Sequence, residues 1–226
     1  MQNDYTIPKR DTLMLTPIRK ELFRWGTPDP ESDWMMFGHV LVQDSGCILF
    51  DPPLVPGLVE AFIRLGGVNS VVLTTLDHSR AAAYIVKKTG AQLYLPDQQP
   101  SDVNPTAFNI HKQITDFKTY SDGNLLGLKA FRLKVKENMD VGMPSMNEYA
   151  LLTDHNELIV GDFVTGSING NVLVAPEWFP PDAQQKPYDL ARNEFKKLAI
   201  KTKADTLLTS HGCSLHGNLQ NAVSRI

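Results

Sequence analysis

Cysteine is scarce in this chain, since Cys47 and Cys213 are the only two among 226 residues. Two cysteines are too few to build a disulfide scaffold. A chain of this length can bury a sufficient apolar core without support from disulfides or structural metals. We therefore expect both thiols to be reduced, as is usual in the cytosol.

Long apolar runs are missing as well. No stretch approaches the roughly 20 consecutive apolar residues that a membrane-spanning helix needs. Residues 1–5 show neither the basic start nor the apolar segment of a secretory signal. We therefore expect a cytoplasmic protein without a membrane partner.

The chain also lacks an excess of positive charge. Its 22 Lys and Arg residues are outnumbered by 25 Asp and Glu residues, and the formal net charge is -3 at pH 7. Nucleic-acid binding normally requires a basic face, so we expect no nucleic-acid partner. At 42% hydrophobic and 21% charged residues, the composition is that of an ordinary globular protein. The expected partner is a small-molecule substrate.

Hydrophobic periodicity predicts a single α/β domain over residues 1–226, with residues 1–10 poorly ordered. Strand and helix patterns alternate between residues 46 and 96, which is typical of α/β folds. Predicted strands cover residues 12–15, 22–25, 39–42, 47–50, 70–75, 92–95, 108–114, 126–135, 149–153, 158–160 and 206–209. Predicted helices cover residues 55–65, 79–88, 188–200 and 219–226, and a long loop covers residues 166–187.

Four of these strand-like runs lead into Asp or His residues. Functional groups gather at the carboxyl ends of strands in α/β sheets because the loops converge there. Carboxylate oxygens and imidazole nitrogens are also ligands that zinc, iron and manganese accept. The residues concerned are Asp51, the pair Asp77 and His78, Asp162 and His211.

The order of these residues resembles the metallo-β-lactamase superfamily. In that family a strand ends in Thr-His-x-His-x-Asp-His, a later His follows a central strand, an Asp closes a Gly-Asp step, and a last His precedes Gly. Here the chain reads Asp77-His78, then Gly161-Asp162, then His211-Gly212. The resemblance covers residues 12–226 and implies a four-layer αββα sandwich, in which two facing mixed sheets are flanked by helices.

The resemblance implies a degenerate metal centre. The two leading histidines of the family motif fall on Leu73 and Thr75, and no histidine stands at residues 143–145, where the next ligand is expected. All three ligands of the family's first metal are therefore absent. The second set is complete, comprising Asp77, His78, His211 and the usually bridging Asp162.

Two carboxylates and two imidazoles are a sensible donor set for one divalent cation. Their combined charge of about -2 would balance the ion, and zinc is the first choice, with iron and manganese as further candidates. The same residues can also persist without metal, so an empty site is the alternative. We assign Asp77 and Asp162 as candidate catalytic residues. A bridging hydroxide between two ions is not expected, because ligands for the first ion are missing.

Each of these residues also has an ordinary structural interpretation. Asp77 could cap the helix that follows it, and His78 could face solvent at the start of that helix. Asp162 and His211 each adjoin a glycine and could simply form turns. The four together, in the family's order, favour a shared site.

Two further residues are expected near that site. Asp51 is interpreted as a group that orients a ligand or fixes a loop. Arg80 stands where the family usually has small residues. It could occupy part of the emptied first site, bind an anionic substrate group, or be a solvated helix arginine.

Two hypotheses of different classes follow. The first is a metal-dependent hydrolase with a single ion, in which Asp162 orients the attacking water. The second is a catalytically inactive protein that keeps the fold for binding or for a structural role. A homodimer whose partner supplies a missing ligand is a third arrangement.

Overall fold

The structure is a computed structural model that describes residues 13–30, 34–135, 146–174 and 186–226. The expected disorder of residues 1–10 and the ligand position at residues 143–145 lie outside the described residues. The strands are β1 (Thr16–Arg19), β2 (Leu22–Pro28), β3 (Met35–Gln43), β4 (Gly46–Phe50), β5 (Val68–Val72), β6 (Gln92–Pro96), β7 (Phe117–Tyr120), β8 (Gly123–Leu125), β9 (Leu128–Val135), β10 (Met146–Leu152), β11 (Glu157–Val160), β12 (Val164–Gly166), β13 (Val172–Val174) and β14 (Thr206–Thr209). The α-helices are α1 (Leu58–Arg64), α2 (Ala82–Thr89), α3 (Asn109–Gln113), α4 (Lys186–Thr202) and α5 (Leu219–Val223).

Two large mixed sheets form the framework of the described residues. The first sheet has the order β1-β2-β3-β4-β5-β6-β7, antiparallel from β1 to β4 and parallel from β4 to β7. The second has the order β14-β11-β10-β9-β8, in which β14 and β11 are parallel and the other pairs are antiparallel. Strands β12 and β13 form a separate hairpin.

The apolar core is divided into layers. Side chains of both sheets, such as Phe50 and Val72 from the first and Ile159 and Leu208 from the second, meet in one buried cluster between the sheets. A second cluster joins the other face of the first sheet to α1, α2 and α3, and a third joins the second sheet to α4 and α5. Because β4, β11 and β14 are covered on both faces, all their residues are buried. The expected four-layer αββα architecture is confirmed.

One predicted strand is wrong. Residues 108–114 contain helix α3 rather than a strand. Ile110 and Ile114 are the buried residues of this segment, and they are four positions apart, so they lie on the same face of one helical turn. The apolar pattern is too short to distinguish a helix from a strand by its period alone.

The other differences are shifted elements and two short strands, β7 and β12, that were not predicted. The first strand is Thr16–Arg19 rather than residues 12–15, because Leu13 and Leu15 pack against the helix-side core without joining the sheet. The predicted strand over residues 126–135 is a hairpin, β8 and β9, joined at Leu126 and Gly127. The predicted loop over residues 166–187 includes β13 and the start of α4, while residues 175–185 lie outside the described part.

Strand direction determines where a site can form. Strands β4 and β5 of the first sheet and β11 and β14 of the second all lead into polar residues at one common rim. No helix among the described residues is long and apolar enough to cross a membrane.

Candidate metal centre

Three side chains from distant parts of the chain converge at this rim. Ligand atoms of His78, Asp162 and His211 all lie within 4.8 Å of one another. Asp162 is central, because its Oδ1 lies 2.9 Å from Nε2 of His78 and 3.4 Å from Nε2 of His211. The structure thus brings together three of the four metal ligands assigned from sequence.

The strands explain why these side chains meet. In the parallel pair of β11 and β14, Val160 lies opposite Thr209. Asp162 and His211 each follow two residues later, so they leave the second sheet side by side. His78 is the last residue of a short 3-10 turn, Leu76–His78, which follows β5 of the first sheet.

Asp51 supports His78 from behind. Its Oδ2 lies 3.1 Å from Nδ1 of His78, although the two groups are not aligned as a regular hydrogen bond. The carboxylate also accepts hydrogen bonds from the backbone N–H and the hydroxyl of Thr74, at 2.8 and 2.5 Å, and from the Ser210 hydroxyl at 2.9 Å. A carboxylate so close to Nδ1 favours the tautomer with its proton there, which leaves Nε2 to face Asp162.

A backbone carbonyl orients His211 in a comparable way. Its Nδ1 lies 2.9 Å from the carbonyl oxygen of Met35. Because a carbonyl can only accept, Nδ1 carries the proton, and Nε2 of the neutral ring offers a lone pair. Burial lowers the pKa of His211. The charge of Asp162 opposes this shift and the charge of His78 adds to it. The net lowering favours the neutral ring.

The charges at the centre are strongly coupled. Burial and Arg80 act to lower the pKa of His78, but Asp162 and Asp51 outweigh them and raise it to about 9. Burial alone would raise the pKa of Asp162, yet His78 and His211 hold it far below its usual range. Asp162 is therefore ionised, and without a metal His78 carries the balancing proton.

These residues fit a divalent cation. Two ligands of one tetrahedral zinc ion lie about 3.3 Å apart, which is close to the separations of Asp162 from the two imidazoles. Both rings have Nδ1 next to an acceptor and Nε2 turned toward Asp162, the arrangement in which outer partners orient imidazole ligands. A bound cation would take the place of the proton on His78.

Asp77, the fourth residue assigned from sequence, is not part of the three-residue cluster. Its Oδ1 accepts the backbone N–H of Asn104 at 3.0 Å, and the cap of the turn is Thr75 rather than Asp77. Partial burial raises the pKa of Asp77, the Asn104 N–H lowers it, and the charge of Asp162 raises it again. Asp77 is thus close enough to the centre to respond to its charge.

Arg80 is not a solvated helix residue. One guanidinium nitrogen, Nη2, lies 2.9 Å from Nε2 of His211, and the other, Nη1, donates to the carbonyl oxygens of Phe37 and Asp51 at 3.1 Å each. The backbone φ of Arg80 is 28°, and that of Asp51 is 45°. Positive φ angles in non-glycine residues are uncommon and often occur at functional sites.

Glu148 was not identified from sequence, yet it holds the loop that carries Asp162. Its two carboxylate oxygens accept the backbone N–H groups of Asp162 and Phe163, at 2.8 and 2.7 Å. Burial and the charge of Asp162 raise the pKa of Glu148 to about 8. A single acidic residue within the buried run of β10 was the only signal in the sequence.

Gly161 allows this loop to pass close to both sheets. A Cβ atom at that position would lie 2.6 Å from Oγ1 of Thr74 and 2.8 Å from Oε2 of Glu148. The Gly-Asp step therefore reflects a close approach of the chain rather than only a turn.

The positions of the two missing histidines are filled by structural residues. Leu73 is fully buried in the helix-side core, and Thr75 uses its hydroxyl to accept a hydrogen bond from Gln98. Neither can act as a nitrogen ligand.

An apolar cavity of about 430 Å³ opens beside His211. Trp34 borders it and contacts the His211 ring edge-on, with ring centroids 5.5 Å apart. The wall residues are Trp34, Met35, Phe37, Thr165, Gly166, Leu173 and Gly212. Trp178 and Phe179, the aromatic residues of the long predicted loop, lie outside the described residues.

Comparisons with known proteins agree with the architecture. A family model described as the metallo-beta-lactamase superfamily matches residues 14–225. No curated protein sequence matches the chain significantly.

Solved structures with similar folds were also found. The metallo-beta-lactamase DIM-1 has a TM-score of 0.63 at 13% identity, with 94% of this chain and 95% of that chain covered. FIM-1 from Pseudomonas aeruginosa, in its mono-zinc form, has a TM-score of 0.64 at 13% identity and 96% coverage of both chains. A metallo-beta-lactamase family protein from Thermus thermophilus has a TM-score of 0.62 at 15% identity, with coverages of 92% and 79%.

Proposed function

The chain belongs to the metallo-beta-lactamase superfamily, and on this premise we propose that it is a metal-dependent hydrolase of small molecules that uses a single divalent ion. His78, Asp162 and His211 would hold the ion. Zinc is the ion that two imidazoles and a carboxylate favour, with iron and manganese as alternatives. The solved FIM-1 structure is a mono-zinc form, so a single ion has a precedent in this fold.

The main support for the proposal is the orientation of the three ligand side chains, His78, Asp162 and His211. The Nε2 atoms of two histidines face the same carboxylate oxygen of Asp162, and each ring is backed at Nδ1 by an acceptor. Isolated surface histidines would have no reason to be oriented in this way. Partners that fix the orientation of ligands are the usual companions of metal-binding imidazoles.

When bound, the ion would polarise a substrate oxygen and lower the pKa of water. The chain itself supplies the orientation. Asp162 is ionised and its side chain is 28% exposed, so its carboxylate can accept a hydrogen bond from a water molecule and orient it. Asp77, whose carboxylate is held by the Asn104 N–H, is the second proposed catalytic residue and a candidate further ligand.

The cavity indicates what kind of substrate would bind. Its walls are mostly apolar, and His211 stands at its edge. A substrate that carries an apolar group next to the hydrolysed bond would bury that group there and leave the bond beside the cluster. Apolar walls also exclude water, which strengthens electrostatic interactions at the reacting atoms.

A second candidate function is binding without turnover. The observation in its favour is the guanidinium of Arg80, which already occupies the lone pair of His211 Nε2. In that case the fold would bind a small molecule in the same cavity and would hold no metal.

Elemental analysis separates the two candidates. Protein purified without chelator should contain about one equivalent of metal, and Asp162→Ala should lose it while Asp154→Ala, at an exposed turn, should keep it. The loaded protein is then assayed against thioester, lactam, lactone and phosphodiester substrates. Metal-free protein whose stability is unchanged by EDTA would support the binding function instead.

A further inference from the structure

Nε2 of His211 has two potential partners, the Arg80 guanidinium and the proposed metal ion. Its Nδ1 proton faces the carbonyl oxygen of Met35, so Nε2 has one lone pair and no proton. Arginine can only donate, and Nη2 of Arg80 therefore donates to that lone pair at 2.9 Å. A metal ion bound by His211 needs the same lone pair.

Arg80 is held in this position by more than one contact. Nη1 bridges the carbonyl oxygens of Phe37 and Asp51, which belong to two neighbouring segments of the first sheet. The backbone of Arg80 has a positive φ of 28°, a conformation that non-glycine residues adopt at a cost. The guanidinium is thus built into the centre.

Charge adds to the competition for the lone pair. The guanidinium stays positively charged at any ordinary pH. A divalent ion on His211 would lie within a few ångströms of it, and like charges at that distance repel strongly where water is partly excluded. For both reasons, His211 cannot contact the Arg80 guanidinium and a metal ion at the same time.

We propose that Arg80 is an intramolecular competitor for metal, so that His211 binds either the Arg80 guanidinium or the cation. This proposal rests on the metal site proposed above. Loading then requires the Nη2 contact to break, while Nη1 can keep its two carbonyl partners. Arg80 acts on the metal through His211, and is a positioning residue rather than a catalytic one.

Zinc affinity tests the competition directly. Zinc is titrated into the purified protein against a chromophoric chelator, for the wild type, Arg80→Met and Arg24→Met. Met keeps much of the length of the side chain without its donors or charge. Arg24 is a matched control, because it is another arginine at this rim that donates to the carbonyl oxygen of Gly212 and not to the His211 ring.

Arg80→Met should bind zinc on the order of tenfold to a hundredfold more tightly than the wild type, which corresponds to the loss of one charge-assisted hydrogen bond. Arg24→Met should show no such gain. An unchanged or weaker affinity of Arg80→Met, or an equal gain in Arg24→Met, would overturn the competition and leave the metal site standing. Zinc binding by Arg80→Met alone would support the competition and refute metal-dependent function in the natural protein. Absence of binding in all three proteins would refute both.

A measurement on the wild type covers the case in which Arg80→Met fails to fold. In protein labelled with 15N-arginine, one guanidinium resonance should shift as one equivalent of zinc is added, and Arg80→Lys assigns it by its absence. If zinc binds and no guanidinium resonance changes, the two ligands do not compete.

Discussion

Oδ2 of Asp51 lies 3.1 Å from Nδ1 of His78, and this contact links the end of β4 to the turn after β5. Asp51 is fully buried and also accepts hydrogen bonds from Thr74 and Ser210. Thr74 follows β5 of the first sheet, and Ser210 follows β14 of the second sheet. One carboxylate therefore fixes the imidazole and ties the two sheets together at the rim where the site forms.

Removing the charge of Asp51 should weaken metal binding without removing a ligand. In Asp51→Asn, the amide cannot reproduce the charge that holds the proton on Nδ1 of His78. We expect metal affinity to fall about 10- to 100-fold, as measured by competition with a chelator. Asp44→Asn, on the exposed hairpin turn before β4, is the control and should bind as the wild type does. Equal affinities in the two variants would show that the charge of Asp51 does not support metal binding.

Glu148→Gln should loosen the loop that carries Asp162. The amide can accept from only one of the two backbone N–H groups, and its NH2 group faces the other donor. We expect a loss of about 1–3 kcal/mol in the free energy of unfolding, measured by urea denaturation. Glu60→Gln, on the exposed side of α1, should change stability little. A loss of similar size in both variants would show that the contacts of Glu148 have no special weight.

Gly161→Ala should be destabilising for a steric reason. The added methyl group would lie 2.6 Å from Oγ1 of Thr74 and 2.8 Å from Oε2 of Glu148. Overpacking of this kind typically costs about 1–3 kcal/mol, so the thermal midpoint should fall and metal binding should weaken. Thr74→Ala alone should also be destabilising, because it removes the hydrogen bond from the Thr74 hydroxyl to Asp51. The double variant with Thr74→Ala and Gly161→Ala should nevertheless be more stable than the sum of the two single losses predicts, because one of the two clashes is removed. Losses that simply add, or that exceed the sum, would show that the clash is not the cause.

His39 should make the protein sensitive to acid. The pKa of this fully buried residue is lowered to about 3, mainly by burial and then by the charge of Arg24. Asp51 opposes this shift, and Arg80 and His216 contribute to it. An unfolded histidine has a pKa near 6.5, so between these values the unfolded chain binds a proton that the folded chain does not. The contribution of His39 to the free energy of unfolding is therefore complete above about pH 6.5. It falls as the pH drops toward 3, by up to about 1.4 kcal/mol per pH unit.

The variant His39→Leu separates this contribution from those of the carboxylates. Neither ring nitrogen of His39 has a hydrogen-bond partner among the described residues, so a side chain of similar size leaves none unpaired. Urea unfolding at a series of pH values from 7 to 4 should give a shallower decline in the variant than in the wild type. Parallel declines would mean that His39 does not titrate as its burial implies.

The fold and the location of the site could be predicted because both depend on local patterns. Asp51, His78, Asp162 and His211 each follow a strand-like run, and the carboxyl ends of parallel neighbours meet at one edge. Helix α3 could not be separated from a strand, since Ile110 and Ile114 satisfy both patterns over so short a segment.

The partners of the site could not be predicted, because they depend on contacts between distant segments. Arg80 reaches His211 across 131 residues of sequence, and only the packing of the two sheets brings them together. The two N–H groups held by Glu148 belong to the backbone and leave no pattern of side chains.

The most direct test of the proposed metal centre is an anomalous-scattering map from crystals grown with zinc, recorded at the zinc absorption edge. We expect a single strong peak within bonding distance of Nε2 of His78, Oδ1 of Asp162 and Nε2 of His211, with the Arg80 guanidinium withdrawn from His211. A map without a peak at these atoms despite excess zinc, in which Arg80 still contacts His211, would contradict the proposed metal centre.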